Sequence, residues 1–448
     1  MPLQDRAPSE LIQHVFRWIH PTKVQQYRRV CRSVCLALRG SGFARLNLDT
    51  FMALGHVREP STEGQDEHSE EDSGGDEASE WDDSEEVEQP PTSPKNGLHE
   101  HHRLVSLLHS HERMEATSLT PSHWDRALFH WPASFQRVYV IESLAPLSLR
   151  KVLWSKNLIT GVLPPSISLL STLSFLDLSH NHLSGPLPRS FGEFFSLEKL
   201  YLSSNQLTGE LPSLANLIHL QVCDLSYNKF IGSLPDFPTS LEMLTLNNNK
   251  FTGSIPASLY SLHKLLFFKA DNNKLSGAIS GDIANLSRLL LLDLGNNKLR
   301  GQIPEEMGHG LRSLVKLYLH NNHFMGAIPD SFGDLMALED VWLNGNSFSS
   351  SIPQRFFSLP HVTALRLDGN TRLAGGVPAD VGRMQCLRYL NLSGCSALRG
   401  DLPVEIGACI CLREVNVNGS GLVKRIPKGL EREGPVWKRL IRLGFQQE

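Results

Sequence analysis

An asparagine that recurs at a nearly constant interval constrains the fold of this chain more than any other feature. Successive copies lie 21 to 25 residues apart. Apolar residues frame each copy, as Leu176, Leu178 and Leu183 frame Asn181. Self-similarity at such a period is typical of a solenoid, in which each unit is too small to fold alone and buries its apolar side against its neighbours.

The recurrent asparagine is predicted to be structural. The alternating pattern before it is that of a short strand. Where the strand ends the chain must bend, and its backbone N–H and C=O groups need partners. An asparagine side chain offers both donors and acceptors, so stacked copies are expected to bond each other's turns. The column consists of Asn157, Asn181, Asn205, Asn228, Asn249, Asn273, Asn297, Asn322, Asn346 and Asn370, and Cys395 and Ser420 continue it.

The end of each unit resembles the leucine-rich repeat family. Segments such as "FTGSIP" (251–256) and "LRGQIP" (299–304) carry the "LxGxIP" ending of the plant-type class. The resemblance implies an α/β solenoid, a horseshoe of about 12 repeats with a parallel concave β-sheet, over residues 149–427. It also implies a second short strand after the glycine, brief helical turns on the outer side, and binding rather than catalysis.

Alternation along each strand predicts which side chains face solvent on the concave side. They stand six, four, two and one residues before each asparagine. Aromatic and arginine side chains there are typical of interface hot spots. The predicted residues for binding a protein or peptide partner are Tyr201, Phe267, Lys269, Tyr318, Trp342, Arg366 and Tyr389. The alternative is that these aromatic rings only fill gaps between neighbouring side chains.

Residues 7–48 have apolar positions at helical spacing and predict a small helical segment. The stretch "PSELIQHVFRWIHPTKVQQYRRVCRSV" resembles an F-box. That resemblance implies packing against the Skp-type adaptor of a cullin–RING ubiquitin ligase. The residues carried over are Pro8, Leu11, Ile12, Val15, Phe16, Ile19, Pro21, Val24, Val30 and Cys31. The alternative is a helical hairpin that packs on the solenoid or makes another contact.

Three further segments surround the repeats. Residues 58–98 hold fifteen Asp or Glu against two Arg or Lys, and so charged a stretch predicts a disordered linker. Solenoid ends need covers, so residues 100–148 are predicted to cap the front of the solenoid. Residues 428–448 are predicted to form a helical rear cap, in which Trp437, Leu440, Ile441 and Phe445 close the core.

No sequence motif for catalysis, a cofactor or a metal is present, and no concentrated basic region indicates nucleic-acid binding. Seven cysteines without a paired framework, and the absence of a signal peptide or an apolar span, predict a cytoplasmic or nuclear protein. The favoured function is a non-enzymatic substrate receptor of an F-box-type ubiquitin ligase. The alternatives are an intracellular scaffold without a ligase link, or an extracellular ligand-binding receptor or inhibitor.

Overall fold

The structure, a computed structural model, describes residues 118–119, 150–156, 159–163 and 165–447. The F-box-like segment 7–48 and the acidic segment 58–98 lie outside these ranges, as does most of the predicted front cap 100–148. Asn157, the first member of the asparagine column, also lies outside them.

The described residues contain strands numbered here in chain order. They are β1 (Ser118–Leu119), β2 (Lys151–Leu153), β3 (Thr160–Gly161), β4 (Phe175–Asp177), β5 (His182–Gly185), β6 (Lys199–Tyr201), β7 (Gln206–Glu210), β8 (Val222–Asp224), β9 (Lys229–Ile231), β10 (Met243–Thr245), β11 (Thr252–Gly253), β12 (Phe267–Lys269), β13 (Lys274–Gly277), β14 (Leu291–Asp293), β15 (Lys298–Gly301), β16 (Lys316–Tyr318), β17 (His323–Gly326), β18 (Asp340–Trp342), β19 (Ser347–Phe348), β20 (Ser350–Ser351), β21 (Ala364–Arg366), β22 (Leu373–Ala374), β23 (Tyr389–Asn391) and β24 (Glu414–Asn416).

One parallel sheet runs through every repeat and confirms the predicted leucine-rich-repeat solenoid. Its thirteen strands follow the order β1, β2, β4, β6, β8, β10, β12, β14, β16, β18, β21, β23 and β24. Neighbouring repeats pair in register, so that Tyr318 is opposite Trp342 and Trp342 is opposite Arg366. Strand β1, which sequence analysis did not predict, pairs with β2 ahead of the first repeat.

The other half of each repeat carries short strands and helical turns. The short strands form sheets of four (β3, β5, β7, β9), five (β11, β13, β15, β17, β19) and two (β20, β22) members. They agree with the second strand that the resemblance implied. Single turns of 3₁₀-helix follow at Pro165–Leu169, Arg189–Glu193, Ala257–Ser261, Gly281–Asn285, Asp330–Asp334, Gln354–Ser358, Ala379–Arg383 and Val404–Ala408, and an α-helical turn, α1, at Glu306–Gly310.

Stacked apolar side chains fill the space between the two sides of each repeat. The leucines of the strands, such as Leu178 and Leu183, are buried. Phenylalanines take equivalent places in successive repeats, and the rings of Phe230 and Phe251 stack with centroids 6.0 Å apart. Burying a side chain of this size stabilises the fold by about 2 kcal/mol, and part of this burial comes from the neighbouring repeats.

The asparagine side chains bond the turns of adjacent repeats. In Asn273, Oδ1 accepts a hydrogen bond from the backbone N–H of Phe251 at 3.0 Å, and Nδ2 donates to the carbonyl oxygen of Leu246 at 3.0 Å. The same arrangement, with a backbone N–H and carbonyls as partners, occurs at Asn181, Asn205, Asn228, Asn249, Asn297, Asn322, Asn346 and Asn370. This ladder fixes the phase of every strand, and therefore fixes which side chains leave the core.

A short helix, α2 (Pro435–Arg442), follows the last repeat. Leu440 and Phe445 are buried in the core, while Trp437 and Ile441 are partly buried against it. The Arg439 guanidinium donates to the carbonyl oxygens of Leu412 and Ile410 in the last repeat. These contacts place α2 against the end of the repeat array, in the segment where a rear cap is predicted.

Candidate ligand-binding surface

The solvent side of the thirteen-stranded sheet, called the sheet face below, is formed by the side chains six, four and two residues before each asparagine. Because successive repeats are in register, side chains at equivalent positions form columns across the strands. Strand spacing of about 4.8 Å separates neighbours in one column. Any chemistry on this surface therefore arises from residues about 24 positions apart in the sequence.

Four side chains form the aromatic cluster, defined as Tyr318 on β16, His320 two residues beyond β16, Trp342 on β18 and Arg366 on β21. The rings of Tyr318 and Trp342 lie 4.8 Å apart between centroids at an interplanar angle of 44°. His320 meets the Trp342 ring edge-on at 5.4 Å. The Arg366 guanidinium carbon lies 5.1 Å from the centre of the Trp342 ring, within range of a cation–π interaction. Trp342 is thus held on three sides.

Charged side chains at the edge of the aromatic cluster fix its orientation. The Tyr318 hydroxyl donates to Asp340 Oδ2 at 3.2 Å, and Lys316 Nζ lies 3.8 Å from the same oxygen. Arg366 Nε lies 3.5 Å from Asp368 Oδ1. Tyr318, Trp342 and Arg366 remain half-buried, so their outer surfaces stay open to a ligand.

His320 belongs to the aromatic cluster although sequence analysis did not select it. Its ring occupies the space above Gly295, where an added Cβ would lie 2.2 Å from His320 Cε1. Burial, and then the charge of Arg366, lowers the pKa of His320 to about 4. Nε2 is 3.1 Å from Asn296 Nδ2, while Nδ1 is buried without a hydrogen-bond partner. At neutral pH this is an uncharged ring that packs against Trp342.

The remaining predicted binding residues do not join the aromatic cluster. Phe267 and Lys269 lie half-buried on β12, and Tyr389 on β23 is 42% exposed. Tyr201 was predicted to be exposed, but it is only 6% exposed because its ring packs 5.5 Å from that of Phe175 in the preceding repeat. Tyr201 therefore contributes little open surface.

A family model for the leucine-rich repeat matches six segments, at residues 172–194, 196–217, 219–241, 240–262, 288–309 and 313–335. The repeats of this chain are leucine-rich repeats, a fold that typically serves as a binding scaffold rather than as an enzyme. A comparison with curated proteins finds no match.

Several solved structures resemble the chain. The Arabidopsis receptor kinase HAESA, in complex with the peptide hormone IDA and the co-receptor SERK1, is 31% identical with a TM-score of 0.58, over 64% of this chain and 48% of that one. A TDR receptor is 29% identical with a TM-score of 0.56, over 66% and 56%. PEPR1, in its structure with AtPEP1, is 30% identical with a TM-score of 0.54, over 64% and 44%. The chain spans about half the length of these solved relatives.

These similarities correct the predicted location. The prediction of a cytoplasmic or nuclear protein is wrong, because the similar structures are receptors, including peptide hormone receptors, and point to the outside of the cell. That prediction rested on the unpaired cysteines and on the lack of a recognisable signal peptide, which are only indirect indicators of where a protein resides. Among the residues that the structure covers, no helix has the length and apolar character needed to cross a bilayer.

Proposed function

We propose that the sheet face binds an extended polypeptide ligand outside the cell and that the aromatic cluster anchors it. The observation that carries the proposal is the half-exposed pair of Tyr318 and Trp342, 4.8 Å apart on adjacent strands. The few residues that carry most of the binding energy of a protein interface are enriched in tyrosine, tryptophan and arginine. Side chains held by strands lose little entropy when a ligand arrives.

The solved structures support this function. HAESA is described in complex with a peptide hormone, and RGFR1 is described as a plant peptide hormone receptor in complex with RGF2. RGFR1 is 27% identical to this chain with a TM-score of 0.53. Since the chain covers only about half of each relative, signalling by a whole receptor is not part of the proposal. The proposed role is recognition, without chemistry on the ligand.

The ubiquitin-ligase link predicted from residues 7–48 is not part of this function. Its residues lie outside the described ranges, and the similar structures lend it no support. The sheet face, by contrast, is described from β2 to β24 and contains the candidate anchor.

A peptide-library selection tests the proposal. The full chain is immobilised, a displayed library of random peptides is selected on it, and the affinity of an enriched peptide is measured by calorimetry. The double variant Tyr318→Ala, Trp342→Ala is expected to weaken binding by at least about thirtyfold, because truncating even one hot-spot residue costs about 2 kcal/mol or more. The matched control is Phe195→Ala, an aromatic residue that is 57% exposed and does not belong to the sheet face.

Two results would contradict the proposal. One is a selection that enriches no peptide on the folded chain. The other is an enriched peptide whose affinity the double variant leaves unchanged while its circular dichroism matches that of the original protein. Equal losses in the double variant and in Phe195→Ala would indicate non-specific aromatic adhesion and would also reject the aromatic cluster as the anchor.

A further inference from the structure

Two carboxyl groups face each other on the sheet face, two to three strands from Trp342. Asp293 ends β14, and Asp271 lies two residues beyond β12. They are 7% and 9% exposed, and the register of β12 and β14 pairs Asp293 with Lys269, two residues before Asp271. Two buried carboxylates so close repel one another unless a proton or a cation lies between them.

The electrostatics of the pair are unfavourable in the free protein. Burial, and then the charge of Asp271, raises the pKa of Asp293 well above its ordinary value. Burial raises the pKa of Asp271 as well, although the charge of Lys269 and a hydrogen bond from Asn272 oppose the rise. The single positive charge of Lys269 is therefore not enough to offset the desolvation of both carboxyl groups.

Two side-chain oxygens, one within the carboxyl pair and one next to it, lack hydrogen-bond donors. Oδ1 of Asp271 is buried without a hydrogen bond, and so is Oδ1 of Asn247, which holds the equivalent place one repeat earlier and is 4% exposed. Buried acceptors in folded proteins are nearly always satisfied. Among the described residues, no hydrogen-bond donor of the protein itself reaches either of these two oxygens.

We propose that Asn247, Asp271 and Asp293 form a cation subsite, which takes the ammonium or guanidinium group of a lysine or arginine in the bound polypeptide. The inference rests on the proposed function and names one chemical feature of its ligand. A basic side chain brings both the positive charge that the carboxyl pair lacks and several N–H donors for the unpaired oxygens. Hydrogen bonds of this charged kind are among the strong ones.

The surroundings favour an organic cation over a metal ion. Within the described part of the chain, no group of three or more His, Cys, Asp or Glu side chains is arranged to hold a metal. Asp224 lies nearby with its Oδ1 already accepting from Ser226 and from Thr245 Oγ1 at 2.7 Å. The Tyr227 hydroxyl faces both Asp271 and Asp224, whose charges, after burial, raise its pKa. With Lys269 and Asn272, these groups surround the carboxyl pair.

The subsite and the aromatic cluster can be occupied by one ligand. Asp271 follows β12 and Trp342 ends β18, three strand steps apart in the sheet, which corresponds to about 14 Å. An extended chain covers that distance in about four residues. The ligand is therefore expected to place a basic residue about four positions from the residue that packs on Trp342.

A double-mutant cycle tests the subsite with a peptide enriched in the library selection. Replacing its basic residue by norleucine is expected to weaken binding to the original chain by about tenfold, the scale of a charged hydrogen-bonded pair. The same replacement should have a smaller effect in Asp271→Asn and in Asp293→Asn, since each variant has lost one of the two carboxyl groups. The matched control, Asp401→Asn, removes an exposed acidic group outside the sheet face and should preserve the tenfold effect.

The outcomes separate this inference from the proposed function. Peptides that need Trp342 but show no enrichment of lysine or arginine overturn the cation subsite and leave the sheet-face function standing. The cation subsite is also overturned if the loss of affinity caused by norleucine is the same in both aspartate variants as in the original chain. Saturable binding of calcium chloride alone, lost in Asp271→Asn, would assign the carboxyl pair to a metal ion instead. If a variant fails to fold, a norleucine peptide that binds the original chain as tightly as its parent still overturns the cation subsite.

Discussion

At the residue scale, the asparagine column shows how one side chain fixes the geometry of a whole repeat. Each amide accepts from one backbone N–H and donates to carbonyls of its own and the preceding repeat. Asn322, for example, accepts from the N–H of Leu299 and donates to the carbonyl oxygens of Leu319 and Leu294. The residue just before each described asparagine has a positive φ, for example 54° at Tyr227, and is glycine at Gly345 and Gly369. The asparagine pattern was readable from the sequence. In the sequence, only those two glycines indicated that the backbone has a positive φ just before the asparagine.

The buried carboxyl pair gives a pH prediction at the same scale. The pKa of Asp293 is raised in the folded protein above its ordinary value of 3.8. Between these two pKa values, Asp293 is protonated in the folded chain and ionised in the unfolded chain. Stability should therefore fall as pH rises from the ordinary value through the raised pKa. Asp293→Asn removes the effect, so its melting temperature should exceed that of the original chain at about pH 8 and match it at about pH 3.

Thermal unfolding followed by circular dichroism across that pH range checks this prediction. Asp401→Asn serves as the control, because its exposed carboxyl group is expected to leave the melting temperature unchanged at both ends of the range. A variant Asp293→Asn that is less stable than the original chain at about pH 8 would show that the carboxylate is well paired in the free protein.

At the element scale, the last repeat depends on α2 for its cover. Leu440 lies on the inner face of this helix and is fully buried, whereas Lys438 on the same helix is exposed. Truncation of a buried leucine costs about 2 to 5 kcal/mol. In a solenoid each repeat contacts only its neighbours, so that loss should appear mainly in the repeats beside the helix.

Hydrogen exchange measured by mass spectrometry tests the role of α2. In Leu440→Ala, amides of β23 and β24 should exchange faster, while those of β8 to β14 should keep their protection. Lys438→Ala should exchange like the original chain. Equal acceleration through all repeats, or none in β24, would mean that α2 does not act as a local cover.

At the scale of the whole molecule, sequence analysis predicted the parallel sheet and the neighbourhood of Tyr318, Trp342 and Arg366, because equal spacing places equivalent positions side by side. Sequence analysis could not predict which of the solvent-facing positions remain accessible to a ligand. Tyr201 is covered by Phe175 of the adjacent repeat, and His320 turns over Gly295. The burial of Tyr201 and the position of His320 both depend on how large side chains from neighbouring repeats pack together. The residue pattern within a single repeat carries no information on that packing.

The carboxyl pair was missed for a related reason. Asp271 and Asp293 look like ordinary solvent-facing acids in the sequence, and only the packing of neighbouring side chains buries them. The predicted location failed because it rested on features that do not bear on the fold, whereas the repeats themselves carry the likeness to peptide receptors.

Photo-crosslinking from the sheet face tests whether the polypeptide ligand lies on this surface. A photoreactive phenylalanine analogue is placed at Tyr389, which is 42% exposed on β23, or at Phe195 outside the sheet face, in the full chain with a library-enriched peptide bound. We expect a peptide adduct from position 389, strongly reduced by Trp342→Ala, and none from position 195. Adducts from position 195 alone would contradict it, because they would place the ligand away from the sheet face.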